Sequence, residues 1–468
     1  MLGIAFYLRI LLPSNASCFS TPVPQCSHGG RRKSVCYNEI VNPLERLVRA
    51  ITAREFRSTR EHELMCEVLI MSLAGAGFVS PNPFVGALVL ADGAEVGRGV
   101  HRIFGEEHAE RAALNMARQR AQGGEIFVNL EPCNHEGNQP PCTKAIIEAG
   151  IRRVIFGGYD PNPLTSRQAR PVLEEAGVEV VGPLMAFATA RLNDSYYHWH
   201  YCERPLVTLK LAVSLEGRLS AASGDSQWIS GKVGRGYGHF LRQTHDAVVV
   251  GVGTVLADNP RLTVRGALLA EFMGEYRHRL KLRQPARVIL DPGFEIFHRR
   301  EVEEELEKGL REEAEHLDTP PLNIFRKGMP VRGEIPWLII AGRAGAAPAG
   351  VRLLPGVALL ELEDKHRLSF DELWEKLGSY GIRSVLVEGG ARVARELIQQ
   401  RAFTRLDLVI APVLLGEDGL GFSPVLGLKH VEDGPDLKSP IAVPLGKNVL
   451  VSGYRTDWLV RMVKGLGR

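Results

Sequence analysis

From about residue 61 onward, apolar and polar positions fall into regular periods, and the period switches along the chain. "EHELMCEVLIMSLAGAG" spaces its apolar residues helically and stops on glycine, which predicts a helix. "FVGALVLADGAEVGRGVH" is two apolar runs joined through Asp92-Gly93, a dipeptide suited to a tight hairpin turn. A helix opening at His108 follows, then a strand in "EIFVNLEP", a loop, a helix in "CTKAIIEAG" and a strand in "RRVIFGGYD". This alternation predicts an α/β layered domain that closes near residue 185. A polar and aromatic connector, "ARLNDSYYHWHYCERP", leads to a second α/β pattern. Its predicted strands are "LVTLKLAVS", "DAVVVGVG", "ARVILDP", "WLIIAG", "SVLVEGG" and "RLDLVIAPVLLG". Between the third and fourth lies "REVEEELEKGLREEAEHLD", read as a solvated helix in an insertion near residues 297–335.

At 468 residues the chain is too long for one ordinary core, and two domains of roughly 100–250 residues each are expected. The pattern puts the first at 61–190, the connector at 191–204 and the second at 205–468. Hydrophobic residues make up 45% and charged residues 24%, a globular balance. A net charge of +3 does not suggest a nucleic-acid binder, which concentrates Lys and Arg on one face. No apolar run approaches the ~18 residues of a membrane span. Seven scattered cysteines, an odd number, make no disulfide framework and fit a reducing compartment. The cytoplasm is therefore expected, or a plastid or other organelle if residues 1–60 are a presequence. That segment is short of acidic residues, rich in Ser and Arg, and holds three of the cysteines. An organellar presequence, a disordered extension and an artefact of the start codon all fit it, and Arg9 interrupts the apolar run of a secretory signal.

His108-Ala109-Glu110 alone reads as a solvated first helical turn. Downstream, "PCNHEGNQPPC" adds Cys133 and Cys142. Zinc favours thiolate and imidazole, and a catalytic site keeps one position open for water. His108, Cys133 and Cys142 supply three such ligands, and Cys142 opens a predicted helix whose dipole favours a thiolate. Glu110 then stays off the metal and carries protons between water and the leaving amine. H-x-E followed by P-C and a second Cys is the order found in zinc nucleobase deaminases. Here, however, eight residues separate the cysteines, where such enzymes commonly have two.

"SPNPFVGALV", "HAE", "LEPCNHEGNQPPC" and "YDPNP" together resemble the deaminase half of the bifunctional riboflavin-biosynthesis deaminase–reductase family. The long spacer, with Pro-Pro before the second cysteine, is characteristic of that branch. The resemblance covers residues 61–185 and implies a cytidine-deaminase-like α/β/α layer fold acting on a diamino-pyrimidinone ribosyl phosphate. By the same matching Asn82, His135, Asp160 and Asn162 are implied substrate contacts; as bare residues, Asn and Asp beside Pro are ordinary turn formers. The family usually has Lys or Arg where this chain has Asn138, and Thr where it has Gln139. After "DPNP" a Gly-containing stretch is usual, whereas this chain reads "LTSRQAR". Arg167 and Arg170 are candidates to supply the missing charge.

The second half lacks a G-x-G-x-x-G fingerprint. "LVEGGARVARELI" is a strand, a Gly pair and a helix, where backbone N–H groups can approach a phosphate, although a packing turn fits equally. With "VTLKLAVSLEGRLS", "GDSQWIS", "GVGTVLADNPRLTVR" and "QPARVILD" it resembles the reductase half of the same family, similar in fold to dihydrofolate reductase and dependent on NADPH. The resemblance places Ala212, Trp228, Ser230, Thr254, Asp258, Glu388, Gly389 and Gly390 at the cofactor. It places Ser226, Arg242, Leu262 and Arg265 at the ribosyl phosphate, which suits the bidentate geometry of Arg. Lys210 is a candidate to polarise or protonate the opening sugar. Glu216 stands where the family usually has Asp.

The reading is therefore a fused enzyme: zinc-dependent hydrolytic deamination of the pyrimidine, and NADPH-dependent reduction of the ribosyl to a ribityl side chain. Its expected partners are small phosphorylated pyrimidines, with no nucleic acid and no membrane, in a homo-oligomer. An alternative keeps one half, the deaminase, as an inactive structural or binding module. A cytidine or tRNA-adenosine deaminase is disfavoured by the eight-residue spacer, and it leaves the second half without a role.

Overall fold

The computed structural model describes residues 42–467 except 137–138, 227–228, 300–301, 303–321, 326–334, 349–352 and 365–367. Residues 1–41, Asn138, Trp228 and most of the charged run thus lie outside the described residues. The helix Arg60–Ser72 is capped by Thr59, whose hydroxyl accepts from His62 N–H, and it leads into a sheet of order β2-β1-β3-β4-β5. These strands are β1 Gly86–Ala91, β2 Ala94–Val100, β3 Glu125–Leu130, β4 Arg153–Gly158 and β5 Glu179–Val181. β1 pairs antiparallel with both β2 and β3, and β3, β4 and β5 run parallel. The β1–β2 turn is the expected one, with φ of 48° at Asp92 and 77° at Gly93. Alternation along β1 builds the layers: Leu88 and Leu90 join the cluster of Met65 and Leu69, while Ala87 and Val89 join that of Ala109 and Ala113.

The second sheet, among the described residues, has the order β11-β10-β9-β8-β12-β6-β13-β16-β15. Its strands are β6 Leu206–Val213, β8 Ala247–Gly251, β9 Ala286–Leu290, β10 Leu338–Arg343, β11 Val357–Leu362, β12 Ser384–Val387, β13 Arg405–Ile410, β15 Lys438–Leu445 and β16 Asn448–Tyr454. β7 Arg218–Ser220 and β14 Leu420–Gly421 form a separate ribbon. β11 through β13 are parallel; β16 and β15 close the sheet antiparallel. Burial on both faces explains the near-continuous apolar runs of β8, β9 and β12, with Arg287 in β9 the charged exception.

Three regions differ from the sequence expectation. The segment set aside as an extension includes the helix Pro43–Thr52, capped by Asn42 and burying Leu44, Leu47, Val48 and Ile51. The connector is two helices, Ala186–Leu192 and Asp194–Cys202. The C-terminal helix Trp458–Leu466 packs on both of them. Residues Asn42–Arg468 form one compact unit, and each buried cluster draws on both halves: Met65 and Leu69 share one with Leu241, and Tyr197 shares the other with Tyr454 and Trp458.

Candidate functional site

Glycines in β2 set the position of the helix Ala109–Ala117. A Cβ on Gly99 would stand 2.1 Å from the Ala109 carbonyl oxygen, and one on Gly97 2.2 Å from that of Ala113. Only glycine permits that approach, and Ala109, Ala113 and Ala117 meet it with small, fully buried side chains. The seated helix carries His108 as its N-cap and Glu110 in its first turn. Cys133 follows the end of β3, and Cys142 opens the helix Cys142–Glu148 behind Pro141.

The three sequence-assigned ligands meet. His108 Nδ1 is 3.5 Å from Cys133 Sγ and 3.4 Å from Cys142 Sγ, and the donor atoms all lie within 4.8 Å of one another. Tetrahedral zinc, with bonds of about 2.3 Å to sulfur and about 2.0–2.1 Å to nitrogen, separates such donors by about 3.5 Å. The cluster fits. Its electrostatics agree: a hydrogen bond from the Cys142 thiol, then His108, holds Cys133 down to about 4. Cys142, facing that thiolate and buried, is pushed well above the ordinary range. Two thiols this close need a cation to ionise together, and a divalent metal would supply it.

Glu110 is buried, and burial followed by the Cys133 charge raises its carboxyl to about 7, where it can both take and give a proton at neutral pH. It lies in a pocket of ≈ 220 Å³ that Asn82, His135, Asp160 and Asn162 also line, so the structure brings every described residue assigned to this site together. Sequence reasoning missed His101, Glu131 and Tyr196 in the same wall. His101 Nε2 is 3.1 Å from Asn82 Nδ2 and its Nδ1 is 3.0 Å from the Glu107 carbonyl oxygen. Glu131 accepts from the N–H groups of Arg167 and Ala169, fastening the loop after Asp160. Neither Lys nor Arg lines the pocket among the described residues. The candidate substitutes point elsewhere: Arg167 donates to the Leu466 carbonyl beside Tyr159, and Arg170 donates to the carbonyls of Val180 and Gly182.

The second constellation gathers where β6, β8 and β12 lie side by side. Val387 pairs with Leu209, so Glu388 follows alongside Lys210, and Ala212 shares the Lys210 face of β6. Arg242, on the helix Lys232–Thr244, grips Glu388 through Nε to Oε1 at 3.0 Å and Nη2 to Oε2 at 2.5 Å. These two residues, assigned to different ligands, thus bind each other. Despite its burial, the Glu388 carboxyl is held below the usual range by Arg242. Burial lowers Lys210, and Glu388 opposes that shift. Arg265, although exposed, is lowered by desolvation and then by Arg242, Arg261 and Arg235, the signature of gathered positive charge. His239, unassigned from sequence, sits among them; burial, then Arg242 and Arg265, push it to about 3, and its Nδ1 accepts from Arg265 N–H.

Gly390 caps the helix Ala391–Gln399, and its Cβ position lies 3.5 Å from Thr254 Oγ1, so cofactor candidates from two helices meet beside Gly389. Ser230 and Leu262 are buried, whereas Ser226 and Asp258 are exposed. Glu216 accepts from the N–H groups of Leu415 and Gly416, which occupies its longer side chain in a loop contact.

Comparison with known proteins follows the same division. The family model "Cytidine and deoxycytidylate deaminase zinc-binding region" matches residues 59–158, and "RibD C-terminal domain" matches residues 205–437. The riboflavin biosynthesis protein RibD of Aquifex aeolicus is 34% identical over 385 residues, 82% of this chain and 96% of that protein. The chain belongs to the RibD family of riboflavin biosynthesis proteins. Escherichia coli RibD is 34% identical over 374 residues, 80% of this chain and 94% of that protein. The crystal structure of the Thermotoga maritima diaminohydroxyphosphoribosylaminopyrimidine deaminase/5-amino-6-(5-phosphoribosylamino)uracil reductase superposes with a TM-score of 0.65 at 30% identity, covering 85% of this chain and 99% of that one. Acinetobacter baumannii RibD gives 0.63 at 26% identity over 84% and 98%.

The RibD-type protein is thus a bifunctional deaminase/reductase of riboflavin precursor processing, with a cytidine-deaminase-like domain before a reductase-like α/β domain. No described helix is long and apolar enough to cross a membrane.

Proposed function

We propose that the first half hydrolytically deaminates a diamino-pyrimidinone ribosyl phosphate with zinc held by His108, Cys133 and Cys142, and that the second half reduces the ribosyl side chain of the product with NADPH. The convergence of three donor atoms within 4.8 Å beside buried Glu110 carries this reading. Zinc so held would supply the Lewis acidity that makes water a nucleophile near neutral pH. Glu110 takes the proton from that water and returns it to the departing amine. Asn82, held by His101, and Asp160 orient the pyrimidine, with His135 and Asn162 at the pocket wall.

In the second half NADPH would supply the hydride. Ala212, Ser230, Thr254, Asp258, Gly389 and Gly390 form its berth; Trp228, assigned to it from the sequence, lies outside the described residues. Lys210, made a readier acid by burial, gives the proton that the opening sugar requires. Glu388 keeps Lys210 and Arg242 in place between cofactor and substrate. Ser226, Leu262 and Arg265 meet the ribosyl phosphate, with Arg265 as its charge partner. Small phosphorylated pyrimidines are the partners this predicts.

The test combines metal analysis with two assays. About one zinc per chain is expected. Ammonia should leave the diamino substrate without NADPH, and NADPH should be consumed on the deaminated pyrimidine. A metal-free protein that still releases ammonia, or NADPH oxidation indifferent to the pyrimidine, overturns the reading.

A further inference from the structure

The helix Asp194–Cys202 and the residue before it hold two of the backbone segments that bring polar groups into the deaminase pocket, those of Asn82 and Asp160. Asn193 is fully buried; its Oδ1 accepts from Phe84 N–H at 2.7 Å and its Nδ2 donates to the Phe84 carbonyl at 3.2 Å. That two-point grip resembles a strand pairing and fixes the segment carrying Asn82. One turn into the helix, Tyr197 donates to the Tyr159 carbonyl at 2.6 Å, and Tyr196 donates to Asp160 Oδ1 at 2.9 Å while lining the pocket.

The other donors to the Asp160 carboxylate among the described residues are local. Asn162 N–H reaches Oδ1 at 3.0 Å and Thr165 Oγ1 reaches Oδ2 at 2.6 Å, so both belong to the loop that Asp160 opens. Local bonds shape that loop but do not place it against the rest of the pocket. The Tyr196 phenol, half-buried at the pocket wall, is the donor that comes from a different element.

The second half holds the helix from the other side. Arg405 Nη1 is 2.6 Å from Asp194 Oδ2, the Tyr454 hydroxyl donates to the same oxygen at 2.9 Å, and the Trp458 ring meets His198 edge-on at 4.9 Å.

We propose that Tyr196 is a positioning residue of the deaminase: its phenol holds the Asp160 carboxylate where the pyrimidine meets it, on a helix that the reductase half clamps. This rests on the reading above, in which Asp160 contacts the substrate. Tyr196→Phe in the full chain keeps the ring and removes only the donor. The Michaelis constant for deamination should rise about tenfold, the scale of one hydrogen bond to a charged group, with kcat within about twofold. Zinc content, melting temperature and NADPH-dependent reduction of the deaminated pyrimidine should match the wild type. In an Asp160→Asn background the same change should add less than about twofold, because the two residues act as one unit. An unchanged Michaelis constant in Tyr196→Phe overturns the proposal, as does a joint fall of kcat and melting temperature, or full additivity with Asp160→Asn. Wild-type ammonia release, measured first, separates the two levels. If it is absent the deaminase reading fails; if it is present and Tyr196→Phe behaves as wild type, only the role of Tyr196 fails.

Discussion

The pocket of the first half sets three imidazoles and the Cys133 sulfur among neutral and acidic groups, whereas the site of the second gathers Arg242 and Lys210 about Glu388 and Arg235, Arg242 and Arg261 about Arg265. Each arrangement is poised for the charge it lacks. The sulfurs of the first half call for a cation, since one stays protonated while the other ionises. The arginines of the second call for anions, and phosphate groups meet that demand through charge-assisted hydrogen bonds. The contrast also runs along the chain. The candidate metal ligands of the first half span residues 108–142, while the residues proposed for the second site are drawn from positions between Lys210 and Gly390.

The sharpest way to break this comparison is to remove charge chemistry from the first half alone. Cys133→Ser should lose the metal and deamination while NADPH oxidation on the deaminated pyrimidine stays within about twofold. Glu110→Gln should keep the metal and lose deamination by about 10²–10⁴-fold, because an amide cannot relay the proton. Full zinc in the first variant, or near-normal turnover in the second, would falsify the division of ligand from proton carrier.

Why these residues are legible in sequence and others are not follows from packing. His108, Glu110 and the cysteines stand at or near element ends and are the residue types that metal and proton chemistry use. His101 ends β2 and, without its contact to Asn82, looks like any strand-terminal residue. Tyr196 hides in a stretch whose composition suggests a linker. Its helices bury Arg191, Asp194 and His198 against the second half, so their polar residues face inward and the amphipathic pattern fails. The helix Pro43–Thr52 has the Asn-Pro start and the apolar spacing of a helix; setting aside the whole N-terminal segment by composition concealed it. β15 escaped because Pro440 and Pro444 argue against a strand, and it tolerates them at the sheet edge. In the second half β6, β8, β9, β10, β12 and β13 are readable from their apolar runs, whereas β11 and β16 are not among the expected strands. Roles for Arg242 and Glu388 come only with family resemblance, and their mutual grip is a three-dimensional fact.

Whether the halves behave as one body is testable through two buried histidines. His198, on the helix joining the halves, and His245, beside β8, are each lowered by burial from 6.5 to about 4. Between those values the unfolded chain binds more protons than the folded one. Stability is therefore full above about pH 6.5 and falls as the pH drops toward 4, by roughly 3 kcal/mol for each group. Because residues Asn42–Arg468 share their buried clusters, one cooperative acid transition is expected in denaturation monitored by both calorimetry and fluorescence. His245→Asn should flatten the pH dependence of the melting temperature over this window. Two resolved transitions, or an unchanged slope in His245→Asn, would contradict this picture.

A smaller effect probes the crevice of the second half. Arg242→Lys keeps the charge beside Glu388 but gives up the bidentate grip. The Michaelis constant for reduction should rise about tenfold, the scale of one charge-assisted hydrogen bond, with deamination unchanged. Equal losses in both activities would show that the pair supports the common core rather than the reductase site.

The smallest effect asks whether the first pocket can be given the charge of the second. Asn138 stands where the family usually has Lys or Arg, neither residue type lines the pocket among the described residues, and Arg167 and Arg170 are tied to backbone carbonyls outside it. A neutral amide offers a phosphate roughly half the strength of a charge-assisted hydrogen bond. Asn138→Lys should therefore lower the deaminase Michaelis constant for the phosphorylated substrate, by about two- to fivefold at low salt, as expected for one exposed ion pair. The dephosphorylated analogue should show no such gain. Raising the ionic strength to 1 M, where the Debye length shrinks to about 3 Å, should erase the difference. Equal gains on both substrates would mean that position 138 does not meet the phosphate; a gain that survives high salt would mean that the new side chain acts through contact rather than charge.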